Sequence, residues 1–377
     1  MLHSYRLRAL TTASAVGLAM AAAVAAAPAG AASAAPDSHN HHAGEEFRQT
    51  NLVSDRTDQG AMLVDPALKN PWGLALSATS PIWVSDNNAA VATLYSIGAG
   101  GASVTKVGLT VAVPGGRAGD GPSPTGQVFN GGAGFVVTSA TGSGPARFIF
   151  DSESGQITGW NPAAGATVAQ LVFSSPTAVY KGLTIATSDA GTFLYASNFH
   201  DGTVDVFDST FHQVQMPGGF TDRSIPKGYA PFGIQELNGL IYVTYAKQNA
   251  EKHDDVAGAG HGFIDVFTVN GFRVERLASR DALNSPWGLT IAPSTFGRFA
   301  GALLVGDFGD GRINAYDPFS GHFLGQLKDG RDKPISIDGL WGLTFGTAST
   351  GGTGTLLFSA GINGEQDGLF GAINPMS

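Results

Sequence analysis

The chain contains no cysteine, so no disulfide can staple it. Charge is sparse, at 14% of residues, and basic charge is scarcest: 21 Lys and Arg stand against 30 Asp and Glu, for a net charge of −9. Nucleic-acid binding needs clustered Lys and Arg, and this composition excludes it as a first reading. Past residue 34 no apolar run is long enough to span a bilayer, so no membrane span is expected. No stretch beyond that point shows a helical period. There is no HExxH motif, no Asp-x-Asp-x-Asp-Gly calcium loop and no Walker lysine in the Gly-rich stretches. No Ser-His-Asp arrangement stands out.

Residues 1–34 read as an export signal. Arg6 and Arg8 form a positive start, Ala9 to Ala27 is apolar, and Ala32-Ser33-Ala34 is a small-x-small cleavage site. A secreted protein cut near Ala34 is expected. Cleavage removes two arginines and no acid, giving −11. The remaining length, about 340 residues, is ample for a single hydrophobic core. Residues 35–46 (APDSHNHHAGEE) read as a solvated leader, and His39, His41 and His42 could hold a stray metal ion. Residues 47–377 read as one domain, and a monomer is expected.

Internal repetition is the informative signal. An aromatic, a Gly and an aliphatic recur in NPWGLAL (70–76), APFGIQ (230–235), SPWGLTI (285–291) and GLWGLTF (339–345). SPTGQVF (123–129) and YKGLTIA (180–186) are weaker copies. Gly73, Gly126, Gly182, Gly233, Gly288 and Gly342 are spaced by 53, 56, 51, 55 and 54 residues. After each Gly come short runs of alternating apolar and polar residues. A second run is PIWVSDN, FLYASNF, LIYVTYA, ALLVGDF or TLLFSAG. A third is VATLY, RFIFD (147–151), TVDVFD, FIDVF, RINAYD or LFGAI, and a less regular fourth follows most of them. Alternation bounded by Gly, Asp, Asn and Pro is the strand signal.

Four strands in each of six units predict an all-β, six-bladed propeller. The last unit stops after its third strand. The orphan segment FRQTNLVSD (47–55) precedes the first. It is predicted to supply the outer strand of the last blade and close the ring, which removes exposed edges.

The unit resembles the NHL-type propeller repeat, best in PWGLTI, LLVGDF and GRINAYD of 286–317. The chain also resembles an uncharacterised family of exported bacterial propellers with a KHDDVAGAG-type loop, and that likeness implies no known activity. Gluconolactonase-like lactonases share the fold and hold a divalent ion in the channel with Glu, Asn and Asp. This sequence lacks a Glu where the first of those ligands would stand.

The fold gathers the loops between second and third strands with the entries to the innermost strands. That face is expected to carry Asp86, Asn87 and Asn88; Asn198, His200 and Asp201; the loop 247–262; Asp307 and Asp310; and Asn363, Glu365 and Asp367. Carboxylates and amides are oxygen ligands suited to Ca²⁺, and they are also ordinary turn caps. Trp72, Phe232, Trp287 and Trp341, completed by Thr125 and Lys181, hold equivalent positions. They are either a platform at the channel mouth for a sugar or apolar ligand or wedges packed between blades. Candidate ligand contacts are therefore Trp72, Phe232, Trp287, Trp341, Asp86, Asn198 and Asp307.

EKHDDVAGAGHG (251–262) packs Glu251, Lys252, His253, Asp254 and Asp255 together and then runs through AGAG to His261. It lies in a loop much longer than its counterparts, and long ordered loops are more often functional. It reads first as a lid or binding loop. His253, Asp254, Asp255 and His261 are its candidate metal ligands, for a divalent ion such as Ca²⁺. Four arginines sit beside acids (Asp55-Arg56, Asp222-Arg223, Arg280-Asp281, Arg331-Asp332) and read as local surface pairs. Two functions follow: a binding protein for a glycan, small molecule or protein, without catalysis, or a metal-dependent hydrolase with the ion at the channel.

Overall fold

The computed structural model describes residues 46–117 and 121–376. The expected export signal, the expected leader up to residue 45 and the His39/His41/His42 group lie outside the described residues. Six sheets, antiparallel apart from one short parallel pair in the last, are arranged as the blades of a propeller. Blade 1 runs Pro71–Ala75, Ile82–Asp86, Val91–Ile97, Val104–Ala112 from the inside out. Blades 3, 4 and 5 repeat that order from Tyr180–Ser188, Tyr229–Leu237 and Pro286–Ile291. Blade 6 is Leu340–Phe345, Leu356–Ala360, Leu369–Pro375 and, as its fourth strand, Phe47–Ser54, with the short strand Leu63–Val64 paired parallel outside it. That strand pairs antiparallel with Leu369–Pro375, Phe47 against Pro375 and Ser54 against Leu369, so the ring closes as the sequence predicts. No helix among the described residues is long and apolar enough to cross a membrane.

Blade 2 corrects one assignment. RFIFD becomes Phe148–Ser152, which pairs with the innermost strand Pro124–Phe129 and is therefore second, not third. The third strand is Gln156–Trp160, QITGW, which the pattern passed over. The cause is an inserted hairpin, Val136–Thr138 with Ser143–Pro145, between the first and second strands. It occupies the stretch where a second strand would otherwise be sought.

The inward-facing residues form six apolar clusters, one between each pair of neighbouring blades, and a seventh on the axis. The recurrent glycine has a steric cause. A Cβ on Gly233 would stand 2.1 Å from the Trp287 carbonyl oxygen, and one on Gly126 would stand 2.2 Å from the Leu183 nitrogen. In the same way Gly73 meets Thr125, Gly182 meets Phe232, Gly288 meets Trp341 and Gly342 meets Trp72. Each innermost strand thus touches the next one's backbone around the full circle. Any side chain there would pry two blades apart. Hydroxyls add ties between blades: Ser197 Oγ donates to Phe232 O (2.6 Å) and Thr125 Oγ1 to Tyr180 O (2.9 Å).

Candidate functional site at the channel mouth

The six entry positions converge on the axis. Trp72 and Trp341 stack with ring centroids 3.4 Å apart, and Trp287 meets both edge-on at 6.0 and 5.7 Å. Phe232 lies 5.7 Å from Trp341, and Phe199 and Phe308 from the loops above complete the group. These rings pack on one another, and Trp72, Phe232, Trp287 and Trp341 are at most 9% exposed. They form a plug across the channel rather than an open platform. Two indole N–H groups are satisfied inside it: Trp287 donates to Lys181 O (2.8 Å) and Trp341 to Asn70 Oδ1 (3.2 Å).

The second strands end on Asp86, Asn198 and Asp307, all buried. Their side chains turn into their own blades. Asp86 accepts from Thr93 Oγ1 (2.7 Å), Asp307 accepts from Asn314 Nδ2 (2.7 Å), and Asn198 donates to Asp201 and Asp205. Burial pushes Asp86 and Asp307 well above the usual carboxylate range. These contacts brace the turns within each blade. The arginine pairs also differ from sequence adjacency: Arg56 bridges Asp58 and Asp367, and Arg331 bridges Asp329.

Above the plug, a different set of side chains comes together. The loop 247–262 is pinned by Gln248 Nε2 donating to Phe199 O (2.5 Å) and Gly258 N donating to Asn284 Oδ1 (2.6 Å). A tight turn inside it, with Asn249 N donating to Asp254 O (2.8 Å), aims His253 and Asp254 at the axis. His253 Nδ1 lies 2.8 Å from Asp254 Oδ1. Lys181, only 2% exposed, bonds Glu153 and lies 3.6 Å from Asp254, with its ammonium 5.2 Å from the centre of the Trp72 ring. Asn87 Nδ2 donates to Glu153 Oε2 (3.0 Å), and Asn70 Nδ2 donates to Glu365 Oε1 (3.2 Å). Blades 1, 2, 3, 4 and 6 all contribute to this mouth.

The charges there perturb one another. Burial favours neutral Lys181, but Glu153 and Asp254 outweigh it and hold the ammonium above its ordinary range. The hydrogen bond from His253 draws Asp254 down, and the same bond raises His253. Burial, reinforced by the Glu153 charge, pushes Glu365 up to about 7. Glu365 also sits on a left-handed backbone (φ 65°), as does Asn363 (φ 58°). Such strain persists where surrounding structure holds it.

Of the four loop residues proposed as metal ligands, only His253 and Asp254 stay together. They join Glu153, with one ligand atom from each within 4.8 Å of the others. Asp255 is turned toward Ser285, where burial raises it. His261 faces away, its Nδ1 on Val256 O (2.7 Å) and its ring edge-on to Tyr229. The tight turn from Asn249 to Asp254 keeps His253 and Asp254 together, and the chain past it carries Asp255 and His261 to other partners.

Glu153 and Asn70 were not legible as site residues, and Lys181 stood out only as a member of the repeat. Glu153 lies in the turn between second and third strands of blade 2. Pairing RFIFD with QITGW would have placed its SESG turn on the same face as the other such loops.

No family model matches the chain. Among solved structures, a glucose dehydrogenase aligns with a TM-score of 0.50 at 10% identity, over 86% of this chain and 99% of that one, a likeness of fold. Two relatives come from Acanthamoeba polyphaga mimivirus. Uncharacterized protein R648 is 32% identical over 334 residues, 85% of this chain and 78% of that protein. Uncharacterized protein L690 is 32% identical over 331 residues, 85% of this chain and 84% of that protein. These relatives are viral, not bacterial, and the chain belongs to the family they represent.

Proposed function

We propose that this protein is a binding propeller that holds a small polar ligand or a glycan at the charged mouth, without catalysis. One observation carries the reading: five blades deliver polar side chains to one spot, directly above a channel sealed by aromatic rings. A sealed channel passes nothing through, so the mouth is an end point for a ligand. The groups there are fixed by one another before any ligand arrives, which limits the ordering cost of binding. An exported protein, with residues 1–34 removed, is part of this reading. A ligand panel scored by thermal shift tests it. Ligands that stabilise the wild type are expected to fail on Lys181→Met and Asn70→Ala, and unchanged responses in both variants would refute the mouth.

A second reading has its own support. Glu153, His253 and Asp254 offer a mixed nitrogen and oxygen set suited to a divalent ion, which is where a metal-dependent hydrolase would start. Lys181 opposes it, because its ammonium already rests on both carboxylates. Elemental analysis of untagged protein decides: stoichiometric metal, lost in His253→Ala, supports this reading, and metal-free protein that takes up none opposes it.

A further inference from the structure

The repeat allows blade 5 to be compared with blade 1. Tyr95 and Tyr316 hold the same register, opposite Ile82 and Leu303, the first residues of their second strands. In blade 1 the Tyr95 hydroxyl donates to Asp65 Oδ2 (2.7 Å), and Lys106 Nζ donates to Asp65 Oδ1 (2.8 Å). Asp65 comes from the segment leading into the innermost strand, and Lys106 from the outer strand, opposite Tyr95. Blade 5 replaces both partners. Arg280 stands in the place of Asp65: Leu283 N donates to Arg280 O (2.8 Å) as Leu68 N donates to Asp65 O (3.0 Å). Phe323 stands opposite Tyr316 where Lys106 stands opposite Tyr95. Arg280 turns its guanidinium elsewhere, over the Phe263 and Tyr229 rings at 5.2 and 5.9 Å from their centres.

Where those partners are missing there is a cavity of about 640 Å³ between the outer edges of blades 4 and 5. Leu277, Ala278 and Asp281 line it from blade 4 and the segment after it, and Tyr316, His322 and Phe323 line it from blade 5. Its volume falls in the range of small-molecule sites, about 300–1,000 Å³. Tyr316 is only 4% exposed, yet its hydroxyl makes no hydrogen bond among the described residues, whereas the Tyr95, Tyr180 and Tyr195 hydroxyls each make one. Burial, with the charges of Asp307 and Asp281, holds the Tyr316 hydroxyl above the ordinary tyrosine range, so it stays a proton donor. Asp281, next to Arg280 in sequence, forms no ion pair or hydrogen bond among the described residues. Phe323 is 42% exposed, with its ring edge-on to Tyr316 at 5.5 Å. Buried polar groups are normally satisfied, so an unpartnered phenol lining a cavity points to a missing group.

The chemistry of the gap selects the ligand. Tyr316 offers a proton, as Tyr95 does to Asp65, and needs an acceptor. Asp281 offers lone pairs and needs a donor. One hydroxyl group supplies both. The exchange of Lys106 for Phe323 puts an apolar ring where blade 1 has a charge, and Leu277 and Ala278 extend that apolar wall. Arg280 and Asp281 both border the cavity, so its lining favours neither sign of charge. We propose that this cavity is a binding site, separate from the mouth, for a neutral ring compound bearing a hydroxyl group, a phenol or an alicyclic alcohol. The ring covers Phe323 and Leu277, and its hydroxyl accepts from Tyr316 and donates to Asp281.

Calorimetric titration of the full chain at pH 7 with p-cresol, 4-methylanisole, p-toluate and 4-methylbenzylammonium tests this. p-Cresol is expected to bind with saturation. 4-Methylanisole keeps the ring and the oxygen but has no proton for Asp281, and is expected to bind about tenfold more weakly. The two charged rings are expected to bind more weakly than p-cresol as well. Tyr316→Phe should fold as the wild type does, because the hydroxyl it removes holds nothing within the chain, and should weaken p-cresol about three- to tenfold. Asp281→Ala changes an exposed side chain and should weaken it about tenfold. Phe323→Ala should weaken it several-fold by removing the apolar wall. Absence of p-cresol binding overturns the proposal. So does 4-methylanisole binding as tightly as p-cresol, or either charged ring binding more tightly. p-Cresol binding that Tyr316→Phe and Asp281→Ala both leave unchanged overturns it too.

Discussion

Gly233→Ala should destabilise this protein through a single misplaced methyl group. The new Cβ would lie 2.1 Å from the Trp287 carbonyl oxygen and 2.9 Å from the Trp287 Cα, both backbone atoms of the next blade. Backbone held in a sheet cannot swing away as a flexible side chain can, so the two innermost strands must separate. Inserting one methylene-sized group into a packed interior costs about 1–3 kcal/mol. In a domain of this size each kcal/mol corresponds to a fall in Tm of about 2–4 °C. Gly108 supplies the control. It lies in the outer strand Val104–Ala112, and a Cβ there meets nothing within 4 Å. Gly108→Ala should be neutral, or stabilising by about 0.4–1 kcal/mol through the unfolded chain. Gly182 grades the series, because its Cβ would stand 3.1 Å from the nearest atom and should cost less than Gly233. Urea and thermal unfolding of the three variants measure this. Equal stabilities for Gly233→Ala and Gly108→Ala would refute the view that the repeat glycines exist for close approach between blades.

Three further outcomes are expected. Phe47 is 1% exposed and packs on Phe296 and Phe299, so Phe47→Ala should cost about 3–5 kcal/mol in urea unfolding by loosening the closing strand; a change below 1 kcal/mol would argue against closure by that strand. Glu365 binds its proton more tightly folded (about 7) than unfolded (4.5), so its share of stability is present at acid pH and lost as pH rises through 7; Glu365→Gln should flatten the stability profile between pH 5 and 8 relative to wild type, and parallel profiles would contradict it. Lys181→Met should remove the internal competitor and tighten any Mn²⁺ or Zn²⁺ binding at Glu153, His253 and Asp254, read by equilibrium dialysis; weaker binding would mean that Lys181 supports the ion instead.

The fold was legible because its repeat is written in glycines that the ring geometry demands and in strands whose alternation serves six interblade clusters. Phe47–Ser54 was legible because one blade was a strand short. The mouth was harder. Trp72, Phe232, Trp287 and Trp341 were visible as equivalents, but sequence does not say whether such rings face solvent or each other, and here they seal the axis. Asp86 and Asp307 looked like mouth residues from their place at strand ends, yet the hydrogen-bonding neighbours Thr93 and Asn314 draw them into their blades. His253 and Asp254, read from the loop as candidate ligands, stay side by side, and His261 is separated from them by the local turn on Val256. Glu153 was hidden by the hairpin inserted in blade 2. Each miss concerns side-chain direction or an insertion, which spacing does not encode.

The most direct test of the binding mouth is a thermal-shift screen of polar ligands against two proteins: the wild type, and a variant carrying Glu153→Gln, Lys181→Met and Glu365→Gln together. Glu153 and Lys181 are neutralised as a pair and Asp254 keeps its hydrogen bond with His253, so the fold should persist. Compounds that raise the wild-type Tm are predicted to leave the variant unmoved. Compounds that raise both equally would place the site elsewhere on the propeller and contradict the reading of the mouth.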